Sequence, residues 1–101
     1  YKRVPSEYAA TGYDAARLLD VAVRKAGAKA GDKRVLAGAV KAAGSEFKSV
    51  RGPFRFNKNN MPIQDYYAFQ VVNQGGKAAV KLLGTPLTGH ADAYQSKCAL
   101  L

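Results

Sequence analysis

Residues Ser49–Leu83, SVRGPFRFNKNNMPIQDYYAFQVVNQGGKAAVKLL, prescribe a definite backbone path, and the rest of the chain is read outward from them. Pro53 lacks an amide hydrogen and disfavours helix at Gly52, so Arg51-Gly52-Pro53 must turn or run extended. Phe54 and Phe56 then fall on one side of a short β arm and Arg55 on the other. A polar turn, Asn57-Lys58-Asn59-Asn60, leads past Pro62 into a hairpin. From Gln64 to Val72 the residues alternate: Tyr67, Phe69 and Val71 share one face, with Tyr66, Ala68, Gln70 and Val72 on the other. Lys77 to Leu83 alternates likewise through Ala78, Val80 and Leu82. A loop at Gln74-Gly75 sets Val71 opposite Ala78, Phe69 opposite Val80 and Tyr67 opposite Leu82. A loop at Gly75-Gly76 keeps the same facing with partners shifted by two, so both leave the apolar rows on one face.

Upstream, the pattern is helical. Ser6 is placed to cap a helix, Glu7 suits its positive end, and Pro5 stands just outside. Tyr8, Ala9, Gly12, Tyr13, Ala16, Leu19, Ala22, Val23 and Ala26 recur at helical spacing, which predicts one amphipathic helix of about five to six turns. Gly12, costly inside a helix, predicts close approach of another backbone. Gly27 and Gly31 end this helix, and Ala28-Lys29-Ala30 forms a small linker. Asp32 caps a second helix with an apolar face of Val35, Leu36, Ala39, Val40 and Ala43, ending at Gly44. Beyond Leu83, Gly84, Pro86 and Gly89 interrupt any sustained period, which predicts an extended tail.

A chain of 101 residues is one domain at most, and at that size folding buries only roughly 60–65% of the surface an unfolded chain exposes. The core should therefore be thin. The opening Tyr1-Lys2-Arg3-Val4-Pro5 has no initiator methionine, apolar signal core or small-residue cleavage site, and fits either a mature end or an internal break. No apolar run approaches the roughly 20 residues of a membrane span. Net charge is +9, from 16 Lys and Arg against 7 Asp and Glu, which raises a small basic nucleic-acid-binding domain as an alternative function. The cations are dispersed, at Lys2, Arg17, Arg24, Lys33, Lys41, Lys48, Arg55, Lys77 and Lys97 among others, and the aromatics lie mostly on one strand face. That distribution fits a solvated basic surface better than a nucleic-acid site.

Chemistry has little to build on. His90 is the only histidine, and no Ser or Cys stands beside it in a nucleophile motif. Asp14, Asp20, Asp32 and Asp65 show neither metal-loop spacing nor an acid/base pair, so the expectation is a non-enzyme with no metal and no cofactor. Tyr8 and Thr11 are the candidate binding residues, an aromatic wall and a polar group where free N–H groups at a helix start can face a small anion. Tyr8 equally suits a partly exposed surface residue. Cys98 makes no disulfide within the chain, and reads as a small apolar residue or as half of a bond to a segment outside it.

Taken together, EYAATGYDAARLLDVAVRKAG, the second helix, the F-x-x-V-x-G-P-F-x-F arm from Phe47 to Phe56 and the YYAFQVV-turn-KAAVKLL hairpin resemble the C-terminal portion of type I periplasmic substrate-binding proteins of ABC transporters. The nearest class takes branched-chain amino acids and includes members that take aromatic acids. The resemblance implies an α/β fragment of a two-lobed protein that closes on a small ligand. Residues 1–62, the helix pair and arm, would belong to the N-terminal lobe. Residues 63–66 would form an inter-lobe crossing, and residues 67–101 part of the C-terminal lobe. Pro62, Ile63, Gln64, Asp65 and Tyr66 are then the hinge, and Tyr8 matches a ligand-contacting aromatic, with Thr11 added by proximity. Implied partners are a small-molecule ligand, the membrane permease and the remainder of the same parent protein, with no nucleic acid. Implied location is periplasmic, with a signal sequence in the parent chain. The resemblance also makes the tail with Cys98 a subgroup extension whose cysteine pairs with one in the missing part. Both ligand classes fit, and the repeated Tyr and Phe lean toward aromatic acids.

Overall fold

The computed structural model describes residues 5–99; Tyr1–Val4 and the last two residues, which fall within the expected lobe segments 1–62 and 67–101, lie outside them. Helix α1 spans Glu7–Ala26 and α2 spans Lys33–Ala43, joined by a short 3-10 turn, Gly27–Lys29. Strands β1 (Phe54–Phe56), β2 (Pro62–Gln74) and β3 (Lys77–His90) form an antiparallel sheet in that order, and a second 3-10 turn, Gln95–Lys97, follows. The architecture is α/β, with a helix pair preceding a three-stranded sheet.

Local chemistry fixes the helix ends. Ser6 Oγ accepts from Ala9 N at 3.3 Å, and Asp32 Oδ1 accepts from Arg34 N at 2.8 Å and from Val35 N at 3.3 Å. Each cap satisfies an amide that the first helical turn leaves without an intrahelical partner. At the other end, Gly27 N–H closes α1 on the Val23 carbonyl, with Arg24 and Lys25 in its last turn.

The helices pack through alanines. Ala22, Ala39 and Ala43 are buried, with Leu18, Val21, Ala26 and Val40 partly buried around them. Lys25 Nζ reaches Glu46 Oε1 at 2.7 Å and ties the end of α1 to the segment after α2. The buried side of α1 therefore runs along Leu18, Val21, Ala22 and Ala26, whereas Tyr8, Tyr13, Leu19 and Val23 of the expected stripe are exposed. Gly12 corrects the expectation of close backbone packing, since a Cβ there would meet nothing within 4 Å. With a single helical neighbour, α1 buries only one flank of a wide apolar stripe.

A chain of aromatic edges joins the helix pair to the sheet. Phe47, buried after α2, packs edge-on against Phe54 at 5.1 Å between ring centres, and Phe54 against Phe56 at 5.2 Å. Gly44 permits this junction, because a Cβ there would collide with the Phe56 ring. Direct contacts between helices and strands are otherwise sparse. The Cα radius of gyration is 16.9 Å, against about 13 Å for a compact domain of 100 residues.

The β arm pairs back onto β2 across the polar turn, with Phe54 opposite Gln64, Arg55 opposite Ile63 and Phe56 opposite Pro62. Asn57 N donates to Met61 O at 2.8 Å to close that turn, and Asn60 takes a left-handed conformation, φ 63°, which Asn tolerates better than most residues. The hairpin adopts the second of its two expected registers. Gln74 pairs with Lys77, Val71 with Val80 and Phe69 with Leu82, leaving Gly75-Gly76 as the loop with φ of 60° and 79°. Positive φ at both loop positions matches the strand twist and is what two glycines supply.

The expected tail is corrected over Leu83–His90, where β3 continues and pairs Gly84 with Ala68, Leu87 with Tyr66 and His90 with Gln64. Three register shifts, each placing an extra residue on β3, accommodate Gly84, Pro86 and Gly89.

Candidate functional site

The first five residues of α1 include Tyr8 and Thr11, both on an open surface, Tyr8 being 88% exposed. With Ser6 occupying Ala9 N, and Ala10 N bonded to the Ser6 carbonyl at 3.1 Å, the amides of Glu7 and Tyr8 have no partner among the described residues. Thr11 Oγ1 donates to the Glu7 carbonyl at 3.1 Å, so its hydroxyl hydrogen is used and its lone pairs are what it offers outward. This corner presents an aromatic face, two amide donors and a hydroxyl acceptor.

Contacts that the sequence pattern did not single out hold this corner in place. Arg51 Nη2 lies 3.4 Å from Glu7 Oε1, and the Arg51 carbonyl accepts from Tyr67 Oη at 2.7 Å. Glu7 is the neighbour of Tyr8 and Tyr67 follows the expected hinge, so Arg51 bridges the helix start to β2. Asp14 reinforces it. One carboxylate oxygen accepts from the Ser49 hydroxyl and the other from Val50 N at 3.0 Å, and Ser49 Oγ accepts from Arg51 N at 3.0 Å. Nothing in the local sequence marks Asp14 for this role, because its partners lie some thirty-five residues downstream. Asp14→Ala should destabilise the chain by about 1–2 kcal/mol, since Val50 N and the Ser49 hydroxyl lose their acceptor. Urea unfolding would measure the loss, and hydrogen exchange should speed up at Val50 and Arg51 more than within α2.

The structure places Pro62, Ile63, Gln64, Asp65 and Tyr66 at the start of β2. Gln64 alone of these pairs on both sides, with Phe54 and with His90. Asp65 Oδ1 accepts from Gly89 N at 2.7 Å, and the Tyr66 ring stands edge-on to His90 at 5.6 Å. Asn59 Nδ2 donates to Asp92 Oδ2 at 2.8 Å, fastening the residues after β3 to the polar turn. No hydrogen bond or ion pair among the described residues joins Tyr8 or Thr11 directly to Pro62–Tyr66; the link runs through Glu7, Arg51 and Tyr67.

The family of periplasmic binding proteins matches residues 1–77. The chain belongs to that family. The match takes in the helix pair, the β arm, all of β2 and the hairpin loop, and leaves nearly all of β3 and the C-terminal turn beyond it. Comparison with curated proteins and with solved structures found no match. Membership places the chain among proteins that bind small solutes in the periplasm.

The sheet of this family member carries an uncovered apolar face. Phe69, Val71, Val80 and Leu82 are 59%, 75%, 60% and 54% exposed, on the side that the alternation assigned as apolar. Cys98 is free and half-buried.

Proposed function

We propose that the chain is the C-terminal part of the solute-binding component of an ABC uptake transporter, a non-enzymatic type I protein that closes two lobes on a small carboxylate. Branched-chain amino acids and aromatic acids are its candidate ligands. The observation that carries this reading is the family match over residues 1–77, which supports solute binding. Tyr8 would stack on the apolar body of the ligand, the amides of Glu7 and Tyr8 would face its carboxylate, and Thr11 would accept from an amine. Pro62–Tyr66 would flex as the lobes close, and a short paired segment is suited to absorb such a change. The exposed row Phe69, Val71, Val80 and Leu82 supports the remainder of the parent protein as its cover. The membrane permease would receive the loaded protein in the periplasm.

Tyr8→Ala in the complete parent protein should weaken binding of its carboxylate ligand by roughly ten- to a hundredfold, the scale of one lost aromatic contact in a closed cleft. Calorimetry with L-leucine and with benzoate measures it and separates the two ligand classes. The thermal midpoint without ligand should stay within about 2 °C of the parent, because an exposed side chain contributes little to folding. Unchanged affinity for whichever ligand binds would remove Tyr8 from the site.

A further inference from the structure

An open groove of about 690 Å³ runs along α2, and neither Tyr8 nor any of Pro62–Tyr66 lines it. Leu36 and Val40 of α2 and Phe56 of β1 form a half-buried apolar floor, and Asn60 of the polar turn adds an exposed amide. Ala37 and Gly38 keep this side of the helix low; a Cβ at Gly38 would meet nothing within 4 Å. Lys33 and Lys41 stand exposed towards its two ends, and eight residues of helix separate them by about 12 Å. Neither ammonium makes an ion pair among the described residues, and no carboxylate lines the groove.

We propose that this groove docks an extended, acidic segment of a protein partner, with a carboxylate at each end and an apolar side chain between them. The spacing follows from strand geometry. Alternate residues of an extended segment point to one side and the chain advances about 3.3 Å per residue, so positions one, three and five share a face and span about 13 Å. Carboxylates at the first and fifth positions then reach Lys41 and Lys33, while the third side chain seats on Leu36, Val40 and Phe56. Charge complementarity selects this occupant. A small molecule would need a site that encloses most of its surface, which an open groove does not provide. A nucleic acid would meet the two lysines but only one ring, Phe56, where single-strand sites offer successive rings for stacking.

The probe is the pentapeptide Glu-Ser-Leu-Ser-Glu, acetylated and amidated at its ends, titrated into the isotope-labelled full chain and followed by amide chemical shifts. Shifts should concentrate at residues 33–41, 56 and 60. The Gln-Ser-Leu-Ser-Gln peptide should bind roughly two- to thirtyfold more weakly, the effect of losing two exposed charge pairs. A chain carrying Lys33→Gln and Lys41→Gln should lose the same factor and cease to distinguish the two peptides. Equal binding of both peptides by the parent chain, shifts centred on the exposed row of Phe69 and Val71, or no binding at all would overturn the proposal. So would displacement of the peptide by a single-stranded oligonucleotide that binds the same residues more tightly. The neutral peptide requires no change to the protein, so the outcome does not depend on a variant's folding.

Discussion

Phe47→Ala is expected to destabilise the chain by about 3–5 kcal/mol and to separate its unfolding into two steps. Phe47 is 8% exposed and is the first member of the edge-on series Phe47, Phe54 and Phe56. Its loss removes the transfer energy of a phenyl group and also one aromatic pair, worth about 0.5–1.5 kcal/mol beyond burial. The second consequence follows from how little else joins the two halves. The helix pair closes on its own alanines, the hairpin on its own ladder, and contacts between them are sparse. With the Phe47 bridge gone, the amide signals of α1 and α2 and those of β2 and β3, followed by two-dimensional NMR, should no longer report one transition in urea, because the helix pair and the hairpin would respond separately. A single coincident transition with a small midpoint shift would mean that the segment from Ser49 to Gly52 carries the coupling instead.

Gly52→Ala is the other large effect, about 2–4 kcal/mol from two sources. The residue has φ of 100°, a conformation that L side chains rarely adopt and that costs of order 1–3 kcal/mol. In addition, the new Cβ would stand 2.5 Å from Tyr67 Oη, which must then give up its bond to the Arg51 carbonyl, at about 1 kcal/mol. Two comparisons separate these sources. Gly76→Ala meets nothing within 4 Å at φ of 79° and should show only the conformational part. Combining Gly52→Ala with Tyr67→Phe removes the colliding oxygen, so the double variant should cost less than the sum of the singles by about 1 kcal/mol in urea unfolding. Strict additivity would show that the hydroxyl moves aside freely and that the bridge from Arg51 to β2 is not under constraint.

The same bridge shows where sequence reading stops. Ser6, Asp32, Gly27 and Gly44 are legible as helix punctuation because each acts on amides or carbonyls within four residues of itself. Hairpin facing is legible because strand alternation has a period of two, so parity alone assigns Phe69, Val71, Val80 and Leu82 to one side. The polar contacts of Arg51, Asp14 and Tyr67 gave no such signal. Their partners lie at Glu7, Ser49 and Arg51, and the pairing exists only once α1, the segment before β1, and β2 have come together. Tyr8 and Thr11 are placed by the sequence at a helix start; the tertiary structure adds that Thr11 has already committed its proton and that Arg51 stands beside the neighbouring Glu7.

The length of β3 marks the division most clearly. Its first half, Lys77 to Leu83, alternates and is read directly; its second half carries Gly84, Pro86 and Gly89 and reads as irregular. The structure keeps it in the sheet by placing extra residues on β3 and by lending Gly89 N the carboxylate of Asp65, twenty-four residues away. A bulge erases the two-residue period that makes a strand visible while leaving the ladder intact on either side. The sequence by itself determined the two helices, their caps, the β arm and the facing of the hairpin, all of which rest on interactions between near neighbours. Only the tertiary structure decided the hairpin register, the reach of β3 and the polar bridge beside Tyr8, because each of these depends on which distant residue supplies the partner.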